Sequence, residues 1–111
     1  MNIREQIKND FGIDLPIKGG TGGSIENPVI LAKEWAHMDY VNIEHVYLKC
    51  IGIGRGIKWR TISQEVMIHN GRTVDKIRIE TEETTETEII TQTEAYYFDI
   101  TECMDLAGNT L

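Results

Sequence analysis

Apolar and polar residues alternate most regularly between Ile57 and Glu83, and the alternation folds about Asn70-Gly71. Both central residues of a type I′ turn need φ > 0, which Asn and Gly tolerate best. The dipeptide therefore predicts a β-hairpin with a two-residue loop. That loop pairs His69 with Arg72 and sets the register of everything beyond it. Ile62 then falls opposite Ile79, Gln64 opposite Ile77 and Val66 opposite Asp75, on a mainly apolar face. On the other face Glu65 meets Lys76, Ser63 meets Arg78 and Met67 meets Val74. A slip of one residue would exchange the faces, and the opposite-charge pair Glu65–Lys76 supports the stated register.

A third, Thr-rich strand is predicted within Thr87–Thr101, making residues 57–101 an antiparallel meander. Its turn near Glu83-Thr84-Thr85-Glu86 has no Gly, Pro or Asn. With Thr84-Thr85 as the loop, Ile79 meets Ile90, and Ile90, Tyr96, Phe98 and Ile100 join the apolar face. The opposite face is less polar than a solvated one should be. It carries Trp59, Met67, Val74, Ala95 and Tyr97, with Val74 beside Ala95 and Tyr97 opposite Arg72. Such a face needs cover, from this chain or from a partner.

Residues 2–11 predict a short helix. Asn2 caps its start, Glu5 follows three positions on, Ile3, Ile7 and Phe11 form one stripe, and Gly12 suits the left-handed end, where Ile13 could close back onto Ile7. Residues 17–27 read as a glycine-rich loop, ended by Asn27-Pro28. Pro28–Lys33 reads as a short buried strand. Residues 40–51 read better as a helix, striped by Ile43, Val46, Tyr47 and Cys50, than as a strand; Asp39 is its candidate cap and Gly52 its candidate end. β-Branched Val41, Ile43 and Val46 oppose that reading. Residues 102–111 form a tail.

One domain of 111 residues follows, of α+β class: one or two short helices packed on an antiparallel sheet of about three to four strands. A cystatin-like or other helix-on-curved-sheet arrangement is compatible with it, by fold analogy alone. The start is polar, no apolar run approaches a membrane span, and Cys50 and Cys103 make no disulfide framework, so the expectation is a soluble cytoplasmic protein.

Charge narrows the partners. From Ile79 onward the chain has nine acids and no Lys or Arg, and the net charge is −7. Nucleic acid and anionic lipid are poor partners for such a surface. The one short basic stretch, Lys49, Arg55, Lys58 and Arg60, is either a solvated patch or a docking site for something acidic.

No motif carries chemistry. Gly19–Gly23 follows a helix and precedes a strand, the reverse of a phosphate loop, and lacks GK[ST], which favours a connector over a ligand site. Gly52, Gly54 and Gly56 spell GxGxG rather than GxGxxG and suit an irregular turn from helix into sheet. His37-x-Asp39 with Glu44-His45 has some metal flavour, but its spacing matches no metal site and no HExxH is present. Cys50 lies on the apolar stripe, which suits an inert thiol better than a nucleophile. The carboxylates of the last third share one wet environment, unlike a catalytic pair, and show no EF-hand spacing.

Two functions remain. The first is a non-enzymatic protein-interaction module, of inhibitor, immunity or adaptor type, binding another protein or itself through Trp59, Met67, Val74, Tyr97 and Arg72. The second is a small-ligand protein or minor enzyme with a pocket between helix and sheet, built from His37, Asp39, His45, Arg55 and Tyr96. Neither reading calls for a metal or another cofactor.

Overall fold

The computed structural model describes residues 2–33 and 40–104. The order is α1 (Ile3–Phe11), β1 (Ile17–Gly19), β2 (Val29–Leu31), α2 (Tyr40–Arg55), β3 (Lys58–His69), β4 (Arg72–Thr84) and β5 (Ile89–Asp99). A single helical turn at 101–104 follows β5. The class is α+β, but among the described residues the sheet has five strands rather than three or four, in the order β1-β2-β5-β4-β3. It is mixed rather than antiparallel, because β2 runs parallel to β5, with Val29 beside Phe98. That pair joins distant parts of the chain, so no local turn signal announces it.

α1 forms where the caps predict it. The Asn2 side chain accepts the Glu5 N–H at 2.9 Å and donates to the Glu5 carboxylate at 2.9 Å. Gly12 takes φ 70° and its N–H reaches the Lys8 carbonyl. Ile3 and Ile7 are buried, while Ile13 stays on the surface.

The predicted loop at 17–27 is shorter than expected, since Ile17–Gly19 pairs with Val29–Leu31 as β1. Gly22 lies against β5. Its carbonyl accepts the Tyr97 N–H at 2.8 Å, and a Cβ there would lie 3.2 Å from the Tyr97 carbonyl. The glycines thus form a close-packed connector that completes the β5 ladder where β2 has not yet begun.

α2 runs past the predicted end at Gly52 to Arg55, and Gly56, at φ 68°, ends it instead. The candidate cap Asp39 lies outside the described residues. Gly52 and Gly54 lie within the helix rather than in a turn, and close packing calls for glycine at Gly52 alone. A Cβ on Gly52 would sit 2.7 Å from the Trp59 indole. Ile43, Tyr47, Leu48 and Cys50 bury against Val29, Leu31, Ile77, Ile79 and Phe98, and the Tyr47 and Phe98 rings meet edge to face, 5.8 Å apart.

The β3–β4 hairpin holds its predicted register from His69–Arg72 back to Ser63–Arg78, with φ positive at both Asn70 and Gly71. A bulge then intervenes between Thr61 and Ser63, so Thr61, not Ile62, faces Ile79. An odd shift exchanges faces. Trp59 therefore pairs with Thr81, leaves the mixed face and packs beneath α2. The β4–β5 turn is also longer than predicted, so Ile79 faces Glu94 rather than Ile90. Val74 faces Asp99 rather than Ala95, and Tyr97 faces Lys76 rather than Arg72. This shift is even, so β5 keeps its faces while changing its partners. Thr85 explains the longer turn: its hydroxyl donates to the Glu88 carbonyl and accepts the N–H groups of Thr87 and Glu88.

The two helical glycines separate packing from propensity. Gly52→Ala gains about 1 kcal/mol of helix propensity but displaces Trp59, at an overpacking cost of roughly 1–3 kcal/mol, for a neutral-to-destabilised protein. Gly54→Ala meets Phe11 at an ordinary 3.6 Å and is expected to stabilise by up to about 1 kcal/mol. Urea unfolding of both variants checks the order; Gly52→Ala as the more stable one would contradict the packing account.

Candidate functional site

Two regions gather the residues singled out by sequence. The first is a cleft of about 450 Å³ between α1 and α2, floored by Tyr96 and closed on one side by Thr21 and Gly23 of the connector. Its walls are mostly apolar, from Ile3, Ile7, Phe11, Tyr47 and Ile51, which is the usual character of a small-molecule site. Of the five residues predicted to build a pocket, the cleft contains Arg55 and Tyr96. His45 lies elsewhere on α2, with Nδ1 2.8 Å from the Val41 carbonyl. His37 and Asp39 lie outside the described residues.

Arg55, Tyr96 and Tyr47 at the cleft are already engaged. Arg55 makes a fork to Glu94, Nη1 to Oε1 and Nη2 to Oε2, both at 2.8 Å, and its Nη1 donates to the Tyr96 hydroxyl at 3.2 Å. Glu94 also accepts from Thr81 at 3.3 Å. The guanidinium holds the Glu94 carboxyl below the usual carboxylate range, against the opposing effect of burial. In turn the carboxylate raises Arg55 further. The pair is a strut that ties α2 to β5, with its charge internally compensated. The Tyr47 hydroxyl donates to the Thr21 carbonyl at 2.7 Å, and burial pushes its phenol upward. Burial also pushes up the Cys50 thiol that lines the cleft, which disfavours the thiolate a nucleophile needs. Among the described residues no group of three or more His, Cys, Asp or Glu could hold a metal ion.

The second region is β3 and the sheet face around Met67. The structure splits the predicted partner-binding set. Trp59 is on the helix-covered face, through the bulge. Val74 is buried. The Lys76 ammonium lies 5.7 Å from the centre of the Tyr97 ring, and Arg72 donates to Asp99 at 2.8 Å. Of the set, Met67, half-buried, is the one that lies in the second half of an open element.

That element is β3 itself, the last strand in the sheet order. Its side chains are exposed on both faces over most of its length, and Ile68, Val66 and Ile62 are 72%, 54% and 46% exposed. The sequence pattern places Val66 on the mainly apolar face and so does not single it out as a surface group. The helices cover the centre of that face and reach β3 at Trp59 but not at Val66 or Ile68. The backbone direction follows from the turn. His69 and Arg72 flank a two-residue loop and form a hydrogen-bonded pair, so His69, Met67, Glu65 and Ser63 point their N–H and C=O groups at β4. Ile68, Val66 and Gln64 point theirs away from the sheet, where no further strand lies among the described residues.

Edge strands are normally guarded by charge, proline or bulges. Here the guards, Lys58, Arg60 and the bulge at Ile62, are confined to the first half of β3. Ser63–His69 carries a single acid, Glu65, and no proline.

Acid titration tests the ion pairs that brace this scaffold. Burial raises the Asp99 carboxyl, but hydrogen bonds from Arg72 and Thr101 outweigh it and hold the group low. Lys18 does the same for Glu102 and Arg55 for Glu94. Depressed carboxyls stabilise the fold above their unfolded pKa, near 4, and that stability is lost as pH falls through the lower folded values. The melting temperature should therefore hold near neutrality and drop below about pH 4, and Asp99→Asn should start lower and drop less. An equal drop in the variant would remove Asp99 from the account. Comparison of the chain with protein-family models, with curated proteins and with solved structures returned no match.

Proposed function

We propose that this protein is a non-enzymatic interaction module that binds an extended segment of polypeptide along the open edge of β3. The observation that carries the reading is the unguarded run Ser63–His69, with outward backbone groups at Gln64, Val66 and Ile68 and exposed apolar side chains at Val66 and Ile68. Strand addition draws affinity from main-chain hydrogen bonds and specificity from alternate side chains, and this edge offers both. The acidic balance of the chain and the engaged polar groups of the cleft favour a protein partner over nucleic acid or catalysis. Two free thiols, Cys50 and Cys103, fit a reducing compartment such as the cytoplasm.

A second reading rests on the cleft. Its volume and apolar walls suit a small, largely apolar ligand, and the one cation in its lining, Arg55, is neutralised by Glu94. Binding there would raise the melting temperature by mass action. A thermal-shift screen of uncharged aromatic and aliphatic metabolites checks it, and uniform silence would remove it.

Amide exchange tests the open edge directly. In dilute solution the amides of Gln64, Val66 and Ile68 should exchange far faster than those of Glu65 and Met67, which donate to β4. Uniform protection along β3 in dilute protein would mean that the edge is already covered, and would overturn the reading.

A further inference from the structure

We infer that the occupant of the β3 edge is the β3 edge of a second copy of this chain, in an antiparallel pairing whose two-fold axis passes through Met67. The inference rests on the open-edge reading above and adds the identity of the partner and the register.

Backbone direction limits the choices. Outward groups belong to Gln64, Val66 and Ile68, so a two-fold pairing must place even-numbered residues opposite even-numbered ones. Its axis must then pass through a residue of the edge rather than between two. Four centres fit the unguarded run. Centring on Glu65 sets two carboxylates directly opposite each other, which is repulsive. Centring on Val66 sets Ile68 against Gln64 and Glu65 against Met67, so each apolar group but Val66 itself meets a polar one. Centring on Ile68 sets Val66 against Asn70, which is in the turn at φ 51° and cannot continue a ladder.

Centring on Met67 satisfies every position from Glu65 to His69, and the ladder ends there because Gln64 would face the partner's Asn70 in its turn. On the helix side of the sheet, Val66 meets Ile68 of the partner subunit, and Ile68 meets the partner's Val66. These are the exposed apolar side chains of the run. On the other side Met67 meets its own copy, and Glu65 meets the partner's His69, a carboxylate against an imidazole that can donate to it. The two Val66–Ile68 pairs are hydrogen-bonded pairs and supply about four main-chain bonds. Centring here keeps the bulge and the charged residues Lys58 and Arg60 beyond the end of the paired segment, where they limit its growth. The pairing is closed and isologous, so it stops at two copies and yields one ten-stranded sheet from two sheets of five.

Sedimentation equilibrium from micromolar to millimolar concentration tests the pairing. The wild-type protein should associate to a dimer and no further. Ile68→Lys, at an exposed position, should fold normally and weaken association at least about tenfold, by placing an ammonium in the apolar seam. Register is read by mild oxidation in a Cys103→Ser background: Met67→Cys should form a covalent dimer, and Ile68→Cys, which faces Val66, should not. A wild-type protein that stays monomeric at millimolar concentration would overturn the self-pairing, as would a dimer indifferent to Ile68→Lys. Equal cross-linking at 67 and 68 would overturn the register. These outcomes are separable from failure of the open edge, which shows as protected Val66 and Ile68 amides in the dilute monomer. Amides that are fast when dilute and slow when concentrated support both.

Discussion

The two-residue turn at Asn70-Gly71 and the single bulge at Ile62 together decide where every side chain of β3 goes. A strand has a side-chain period of two, so one registered turn assigns faces and one inserted residue reverses them. From His69 to Ser63 the turn governs, and Met67, Glu65 and Ser63 share a face with Val74, Lys76 and Arg78. Beyond the bulge the assignment inverts, and Trp59 turns toward the helices. The inversion is what gives α2 an aromatic partner at Gly52, and a glycine is required there because the indole approaches so closely.

The core is built on the resulting face. α1 and α2 cover Ile77, Ile79, Phe98 and the buried residues of β1 and β2, while Arg55–Glu94 and the Tyr47 hydroxyl tie α2 to β5 and to the glycine connector. Helical cover is narrower than the sheet. It reaches β3 only at Trp59, which leaves Val66 and Ile68 in solvent on the face that is buried at Ile77, Ile79 and Phe98. The open edge is therefore a consequence of a five-stranded sheet under two helices. It lies opposite the β1 edge, whose strand is only three residues long and offers little to pair with.

The cleft and the edge differ in what they leave unsatisfied. At the cleft the inner polar side chains have partners: Arg55 has Glu94 and Tyr96, and Tyr47 has Thr21. At the edge, alternate backbone groups of β3 face outward beside exposed apolar side chains. Unpaired main-chain groups in a regular row form a template for another strand, whereas a compensated ion pair recognises little.

Local signals determined a good deal by themselves. Asn2 and Gly12 bounded α1, Asn70-Gly71 set the hairpin, and the period of the apolar residues separated helix from strand over 40–51, because each depends on side chains a few residues apart. The even shift at the Thr85 turn left the faces of β5 as the pattern implied. Only tertiary structure decided the rest. The parallel pairing of Val29 with Phe98 joins distant segments, and the bulge that moved Trp59 and the extension of α2 through Gly52 have no local turn or cap signal. The same holds for the functional surface. Val66 reads as part of an apolar face from its alternation, and it becomes a candidate binding residue only because the helices that cover that face reach β3 at Trp59 and not at Val66.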